Sequence, residues 1–205
     1  MSLEIRELRK KDYKKAIQFA ITGMHFDWFM DNRLLLNLYG RYFWYMEVNR
    51  ATQVIAAYEG DVFAGVLLAE IKGEARKYRS FGKMVYVGIF DLLQNVFVKG
   101  GTGVYDQANR EMLSRYCESS SPDGEILFLA ANPEIKAKGV GSALLRELEQ
   151  RENGKVVYLY TDNACTYQFY EHRGFERAGE KDVVLSIAGR EVALQCLLYS
   201  KRMGG

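Results

Sequence analysis

Proline, histidine and cysteine are all scarce in this chain. Two prolines among 205 residues leave no proline-rich linker that would divide it. Its two histidines, His25 and His172, and its three cysteines, Cys117, Cys165 and Cys196, are scattered and show no Cys-x-x-Cys spacing, so no metal site is expected. An odd number of scattered cysteines also argues against a disulfide framework and favours a reducing, cytoplasmic setting.

An excess of one charge and a long apolar run are missing as well. The chain has 28 Lys and Arg against 26 Asp and Glu, a net charge of +2, which argues against nucleic acid or an anionic membrane as the main partner. The longest apolar stretch, residues 84–98, is interrupted by Asp91 and is too short to cross a bilayer. The first residues do not form a signal peptide. With 48% hydrophobic residues, a single domain over residues 1–205 is expected.

Residues 125–142 carry the clearest pattern. Residues 126–131 are apolar without interruption, as in a short strand covered on both faces. From Gly139 onward apolar residues recur every four positions, which predicts an amphipathic helix. Glycine lets a ligand approach bare backbone amides, and a helix N-terminus points free N–H groups at the same place. With the charges of Lys136 and Lys138, this pattern predicts an anion site, most simply for phosphate.

Two common phosphate loops do not fit this segment. A dinucleotide-binding loop needs a third glycine where this chain has Leu144, which disfavours a nucleotide-dependent oxidoreductase. A nucleotide-triphosphate loop ends in Gly-Lys-Ser/Thr, and the pairs Gly82-Lys83 and Gly154-Lys155 lack the upstream glycine. A plain βα turn, with glycines needed only for a tight corner, stays open at this point.

The loop resembles the pyrophosphate loop of the GNAT superfamily, the acetyl-CoA-dependent N-acyltransferases. That loop has Arg or Gln, two residues, Gly, one residue, and then Gly or Ala. Here Lys136 takes the first position, and Gly139 and Gly141 take the glycine positions. Lysine departs from the pattern, because it offers phosphate a point charge in place of the arginine fork.

A second segment also has the family's spacing. Residues 155–161 form another short apolar strand, so strand, helix and strand make a βαβ unit. The segment that follows resembles the family's pattern of Asn, then Tyr seven residues later, then Gly-Phe. Asn163, Tyr170, Gly174 and Phe175 match that pattern, and two motifs in order are more specific than either alone.

The resemblance implies an α/β fold, with a mixed, mostly antiparallel central sheet, helices on both faces and a βαβ unit that binds the cofactor. It also implies acetyl-CoA as cosubstrate and an amine acceptor of unknown identity. The motif strand would hold the pantetheine arm, and the loop and helix start would hold the phosphates. The predicted cofactor-binding residues are Leu129, Ala130, Ala131, Lys136, Ala137, Lys138, Gly139, Val140, Gly141, Ser142, Asn163 and Tyr170.

Two side chains are predicted to move protons. The resemblance implies that Tyr170 is the general acid for the departing thiolate, although a tyrosine on an apolar helix face is more often a core residue. Glu125 is predicted as the general base, directly or through water, with Glu70 as the other candidate; the plain alternative is a solvated residue at the strand start. Asn163 suits a helix cap as well as a cofactor contact. Gly174 suits the C-terminal glycine of a helix.

Periodicity and turn residues place the remainder of the chain. Strands are predicted at residues 3–8, 53–58, 62–69, 178–186 and 191–199, and helices at 11–22, 32–47, 84–98 and 105–117. The insertion at about residues 70–124 is long for the family. It is either an ordered cover over the acceptor site or a structural elaboration, such as the surface of a homodimer.

These observations predict an N-acetyltransferase that moves an acetyl group from acetyl-CoA to an amine of a small molecule or protein. The alternative is a non-catalytic acyl-CoA-binding sensor or interaction module that kept only the cofactor cleft. The tyrosine at position 170 favours the enzyme.

Overall fold

Strands and helices make up most of the residues that a computed structural model describes, which are 3–28, 30–97, 102–132, 134–135, 138–187 and 190–204. The strands are β1 (Leu3–Arg6), β2 (Gln53–Glu59), β3 (Val62–Ile71), β4 (Gly124–Ala131), β5 (Val156–Asp162), β6 (Glu176–Ile187) and β7 (Arg190–Arg202). The helices are α1 (Tyr13–Gly23), α2 (Arg33–Arg50), α3 (Phe81–Phe97), α4 (Thr102–Tyr116), α5 (Val140–Arg151) and α6 (Gln168–Glu171).

The strands form one sheet in the order β1-β2-β3-β4-β5-β7-β6. Each neighbouring pair is antiparallel except β4 and β5, which run parallel and are joined by α5. The predicted mixed, mostly antiparallel sheet with its βαβ unit is therefore confirmed. Leu127 of β4 is skipped in the register with β3, which pairs Leu68 with Phe128 and Ala69 with Ile126. Such a bulge bends a strand and turns its side chains locally.

Helices cover both faces of the sheet. Alternate residues of β3 point to opposite sides, so that Leu68 joins the core under α1 and α2 while Leu67 joins the core under α5. Trp44 of α2 and Leu144 of α5 are fully buried in these two layers. A third cluster packs α4 against β6 and β7, on the same face as α2. The predicted layers on both faces are confirmed.

The element bounds differ from the predicted ones where polar residues turn inward. Helix α2 begins after Asn32, whose side chain accepts hydrogen bonds from the amides of Leu34 and Leu35 at 2.9 and 3.2 Å. It continues to Arg50, beyond the predicted end at residue 47. The last turn was missed because Glu47 and Arg50 face the sheet, whereas hydrophobic periodicity assigns such residues to solvent.

The predicted insertion folds as α3 and α4. The hydroxyl of Tyr42 in α2 donates to Asp91 of α3 at 2.6 Å, and the hydroxyl of Tyr86 in α3 donates to the carbonyl of Leu38 at 3.1 Å. Helix α4 docks on the sheet, where the hydroxyl of Tyr105 donates to Asp162 at 3.1 Å. In the described part of the chain, none of the helices has the length and apolar character needed to span a membrane.

Candidate active site

The two parallel strands of the sheet separate soon after they pair. Strands β4 and β5 pair only where Gly124 faces Val157 and Glu125 faces Tyr158, whereas β4 stays paired with β3 up to Ala131. Within the described residues, the backbone of β4 beyond Glu125 therefore has no strand partner on its β5 side. Unpaired backbone groups at such an opening can hydrogen-bond an extended ligand.

Leu129, Ala130 and Ala131, predicted to contact the cofactor, lie at the wide end of this opening. Leu129 and Ala130 are half-buried and Ala131 is exposed. Close packing also requires a glycine beside them: a Cβ at Gly65 would lie 2.7 Å from the Ala130 carbonyl oxygen and 2.8 Å from a methyl of Val140. Gly65 thus lets the end of β4 and the start of α5 approach each other.

The loop after β4 ends at Gly139, which has a left-handed φ of 87° and precedes the first residue of α5. Lys138 and Gly139 are exposed, and Val140 is buried in the core, so that only the backbone of Val140 can meet a ligand. Gly141 and Ser142 complete the first turn. The helix N-terminus presents free amides there, which is the geometry of an anion site. Lys136 and Ala137 of the predicted set lie outside the described residues.

Arg173 adds a charge to this helix N-terminus that the sequence did not indicate. Its guanidinium donates through Nε to the Ser142 hydroxyl at 3.0 Å, and it lies 5.5 Å from the centre of the Phe169 ring. A Cβ at Gly141 would lie 3.0 Å from the same ring, so that α6 abuts the start of α5. Only this tertiary contact relates Arg173 to the loop, because the two are more than thirty residues apart (Ser142 is 31 residues away).

Tyr170 lies in α6 beside the loop and is half-buried. Its ring packs edge-on to Phe169 and Phe175, with centroids 5.3 and 5.7 Å apart, and lies 6.5 Å from the ring of Tyr199. Burial raises the pKa of the Tyr170 phenol, and the phenol therefore keeps its proton at neutral pH. No described side chain hydrogen-bonds its hydroxyl.

The turn after Tyr170 has the predicted form. Gly174 has a φ of 76°, the amide of Phe175 donates to the carbonyl of Tyr170 at 3.1 Å, and the amide of Gly174 donates to that of Glu171 at 3.0 Å. This is the Schellman pattern of a helix C-terminus. Phe175 is buried, and its ring packs edge-on to that of Tyr170 in the helix.

The prediction that Asn163 caps a helix is wrong. Helix α6 begins five residues later, and no side chain caps it. Asn163 instead bonds the backbone of Gln195 in β7: its side-chain Oδ1 accepts from the Gln195 amide at 3.0 Å, and its own backbone amide donates to the Gln195 carbonyl at 3.1 Å. Asp162 forms the turn, because its Oδ1 accepts from the amides of Ala164 and Cys165. The side-chain oxygen of Asn163 therefore bonds a strand that is remote in sequence and not a helix N-terminus.

The two candidate bases, Glu125 and Glu70, both bond Arg50 on the face of the sheet that α2 covers. Nη2 of Arg50 donates to Oε2 of Glu125 at 2.7 Å and to Oε2 of Glu70 at 3.1 Å. Nη1 of Arg50 also lies 3.4 Å from Oε2 of Glu47. The fold therefore brings together carboxylates from β4, β3 and α2 that the sequence keeps far apart.

Glu70 and Glu125 differ in how many of their oxygens are engaged. Arg50 bonds Oε2 of Glu70 and Arg76 bonds its Oε1, so that both oxygens are held. Glu125 receives both of its bonds on Oε2, from Arg50 and, at 3.1 Å, from the Tyr158 hydroxyl. No donor in the described part of the chain reaches Oε1 of Glu125. Glu125 thus has an oxygen that can accept a proton from an incoming group.

Glu47 is the buried member of the cluster. Burial raises its pKa to about 8, although the charge of Arg50 opposes the rise, and the carboxylates of Glu125 and Glu70 add to it. Glu47 therefore holds a proton at neutral pH. Arg50 and Arg76 then balance the charges of Glu70 and Glu125.

A cavity of about 410 Å³ opens at this cluster. It is lined by Arg50, Thr52, Glu70, Ile71, Lys72, Gly73, Glu74, Arg76, Gly124, Glu125 and Tyr158. It sits at the end of β4 where the strand leaves β5, opposite the loop of Gly139. The opening between the strands thus has a phosphate-type loop at one end and a polar cavity at the other. Among the described residues, no group of His, Cys, Asp or Glu is arranged to hold a metal ion.

Residues 5–175 match the model of the acetyltransferase (GNAT) family. A curated relative, the N-alpha-acetyltransferase RimI of Mycobacterium tuberculosis, is 31% identical over 81 residues. That alignment covers 38% of this chain and 51% of the relative, so the similarity spans about half of the relative's length.

Two solved structures share the fold over their whole length. One, from Corynebacterium glutamicum, is described as "histone acetyltransferase HPA2 and related acetyltransferase". It has a TM-score of 0.59 at 14% identity, over 100% of this chain and 98% of that one. The paiA N-acetyltransferase of Thermoplasma acidophilum, in complex with coenzyme A, has a TM-score of 0.52 at 16% identity, over 98% and 99%. At these identities the likeness shows the fold alone.

Proposed function

The chain belongs to the acetyltransferase (GNAT) family, and we propose that it transfers an acetyl group from acetyl-CoA to the amine of a small molecule or protein. The observation that carries this proposal is the opening between β4 and β5, with a helix N-terminus at one end and a carboxylate with a free oxygen at the other. Acyl transfer needs both: a place for an anionic cosubstrate and a base beside its reactive end.

The cofactor lies, in this proposal, along the open edge of β4. Backbone groups of Leu129–Ala131 bond the pantetheine arm, and the amides from Lys138 to Ser142 bond the pyrophosphate. Arg173 and the lysines of the loop supply positive charge to the phosphates. Asn163 and Tyr170 contribute from the neighbouring turn and helix. The loop residues Lys136 and Ala137 complete the predicted set.

Gly139→Asp is expected to weaken binding of coenzyme A at least tenfold, which is about 1.4 kcal/mol. The substitution adds a negative charge where the pyrophosphate rests, and it strains a left-handed residue with a φ of 87°. Calorimetry on the purified, folded variant measures the change.

A matched control separates charge from backbone strain. Gly154 also has a left-handed φ, 86°, and open space around the position of a Cβ, but it follows α5 at the helix's opposite end. Gly154→Asp is expected to bind coenzyme A as the wild type does. Equal affinity of both variants and the wild type would refute the assignment of the phosphates to this loop.

Catalysis is assigned to two side chains. Glu125, through its free oxygen or through water, removes a proton from the acceptor amine, and Tyr170 protonates the departing thiolate. One backbone amide among Leu129–Ala131 faces the thioester oxygen, as developing negative charge requires. If Glu125 were only a solvated residue, or Tyr170 only a structural one, its conservative substitution would leave kcat unchanged.

The test is release of free coenzyme A thiol from acetyl-CoA in the presence of a panel of amines. The panel contains small amines, amino acids, and peptides with free N-termini or lysines. Amine-dependent release with a matching acetylated product supports the enzyme. Tight coenzyme A binding without release toward any amine would favour the non-catalytic acyl-CoA-binding module.

The whole chain acts, in the same proposal, as a single N-acetyltransferase domain, with α3 and α4 covering the acceptor side. Two observations support this: α3 packs on α2, and α4 packs on β6 and β7, on the face that carries Glu125. The free state of the three cysteines supports a cytoplasmic location. Nearly balanced charge supports an amine acceptor rather than nucleic acid or a membrane as partner.

A homodimer through α3 completes the proposal. Four apolar residues of α3, Phe81, Val85, Ile89 and Leu92, are exposed and share one side of the helix. The charged groups turn the other way, as Asp91 bonds Tyr42. Exposed apolar stripes of this kind are typical of interfaces. An antiparallel copy would set Val85 against Ile89 and Phe81 against Leu92, which makes the stripe self-complementary.

Ile89→Asp is expected to raise the dimer dissociation constant at least tenfold, because it buries an unpaired charge in the proposed contact. Sedimentation equilibrium measures the change. Val184→Asp is the matched control, since Val184 is 55% exposed against 56% for Ile89 but lies on β6. A wild-type protein that stays monomeric at high concentration would contradict the dimer.

A further inference from the structure

We propose that Arg50 is a positioning residue for acetyl transfer, which holds one oxygen of Glu125 so that the other faces the acceptor amine. The inference rests on the proposed function, in which Glu125 is the general base. It concerns a residue of α2, far in sequence from either motif, and it makes the acceptor cavity a preorganised site rather than a chance grouping of charges.

Hydrogen bonds fix the orientation of the Glu125 carboxylate. Two donors bond Oε2 of Glu125: Nη2 of Arg50 at 2.7 Å and the Tyr158 hydroxyl at 3.1 Å. Two bonds to the same oxygen fix the rotation of the carboxylate, and among the described side chains none bonds the second oxygen. Arg50 is itself held in place, since its Nε and Nη2 bond one oxygen of Glu70 at 3.2 and 3.1 Å. A guanidinium fork of this kind restrains orientation better than an ammonium group.

The charged groups around Glu125 also require a cation at the position of Arg50. The ionisable groups that face Glu125 are Arg50 and Glu47 from α2, Glu70 from β3, and Tyr158 and Tyr160 from β5. Arg50 is the cation among them, and it stands between Glu70 and Glu125 because one nitrogen bonds both. Without it, the carboxylates of Glu70 and Glu125 would share the cavity wall with no cation between them, and their mutual repulsion would move Glu125 out of this position.

The first measurement is independent of activity. Glutamate labelled with ¹³C at the side-chain carboxyl is observed by NMR at one fixed pH, and the Glu125 signal is assigned by its loss in Glu125→Gln. Arg50→Gln is expected to shift and broaden this signal, because a donor that fixes the rotation of the carboxylate is removed.

The second measurement is the effect on kcat compared with the effect on KM. In Arg50→Gln kcat should fall about tenfold or more, with the KM for acetyl-CoA unchanged, because the base is no longer oriented toward the amine. Arg50→Lys keeps the charge but loses the fork, so it should recover kcat only in part. A purely structural role would not lower kcat while leaving the KM for acetyl-CoA unchanged.

Arg151→Gln is the control for removal of a guanidinium. Arg151 has the same side-chain exposure as Arg50, 38%, and pairs with Glu147 on the surface of α5. Arg151→Gln should leave kcat and the Glu125 carboxyl signal unchanged. If Arg50→Gln does not fold, the double variant Glu47→Gln/Arg50→Gln replaces it, because it removes the buried carboxyl that Arg50 covers.

Two results would overturn the inference: a folded Arg50→Gln protein with an unchanged Glu125 carboxyl signal, or one with wild-type kcat. Failure of the proposed function would give a different result. A wild-type protein that acetylates no amine would refute the enzyme, whereas the carboxyl signal would still report whether Arg50 holds Glu125.

Discussion

Glu125→Gln is expected to lower kcat by about a hundredfold or more, the range of general base catalysis. Glutamine has the size of glutamate, and its oxygen can still accept from Arg50 and from the Tyr158 hydroxyl, which bond one oxygen of Glu125 at 2.7 and 3.1 Å. It cannot accept a proton from the amine. Steady-state thiol release with a productive acceptor measures the loss, and the KM for acetyl-CoA should change little because the phosphates bind elsewhere.

Glu70→Gln is the matched comparison for this prediction. Both oxygens of Glu70 are engaged by arginines, so its neutral variant should lose much less activity than Glu125→Gln. A larger loss in Glu70→Gln would assign the base to β3 instead. Wild-type kcat in Glu125→Gln would remove the role of Glu125 altogether.

Tyr170→Phe is expected to lower kcat by about a hundredfold, near the lower end for general acid catalysis. The effect is limited because a thiol is already fairly acidic, and its thiolate leaves without a strong acid. Burial raises the pKa of Tyr170, so the phenol carries the proton that it would donate. Phenylalanine keeps the contacts with Phe169, Phe175 and Tyr199, and the fold and the KM for acetyl-CoA should therefore stay the same.

Tyr167→Phe removes a hydroxyl three residues earlier on a ring that is half-buried against the same core, and it should have no effect on kcat. Single-turnover measurements establish whether chemistry limits the rate in each protein. If chemistry is limiting and Tyr170→Phe retains wild-type kcat, Tyr170 is a core residue, and water or another side chain supplies the proton.

Features that depend on neighbouring residues were predictable from the sequence. The apolar run of β4, the glycine that opens α5 and the βαβ order follow from periods of two and of 3.6 residues. The turn at Gly174 is equally local, since a positive φ after a helix favours glycine. These elements placed the loop between β4 and α5 correctly in the fold, and the match of the family model to residues 5–175 agrees with them.

Asn163 shows where local reasoning failed. A side-chain amide after a strand satisfies the usual preference for a helix cap, and nothing nearby in the sequence competes for it. In the fold β7 lies beside β5, and the backbone of Gln195 takes the side chain instead. The competing partner comes from more than thirty residues away (a separation of 32), which no propensity scale contains.

Composition, periodicity, motif spacing and the family resemblance were enough to give the class of fold, the loop proposed to bind the cofactor and two candidate bases. They could not say which candidate has a free oxygen. That depends on Arg50 and Arg76, which reach Glu70 and Glu125 only because α2 and β3 pack beside β4. Arg173 likewise reaches Ser142 only through the contact of α6 with α5. Secondary structure is set by short-range sterics and burial, whereas the ionisation and orientation of a site depend on charges that only the tertiary structure brings together.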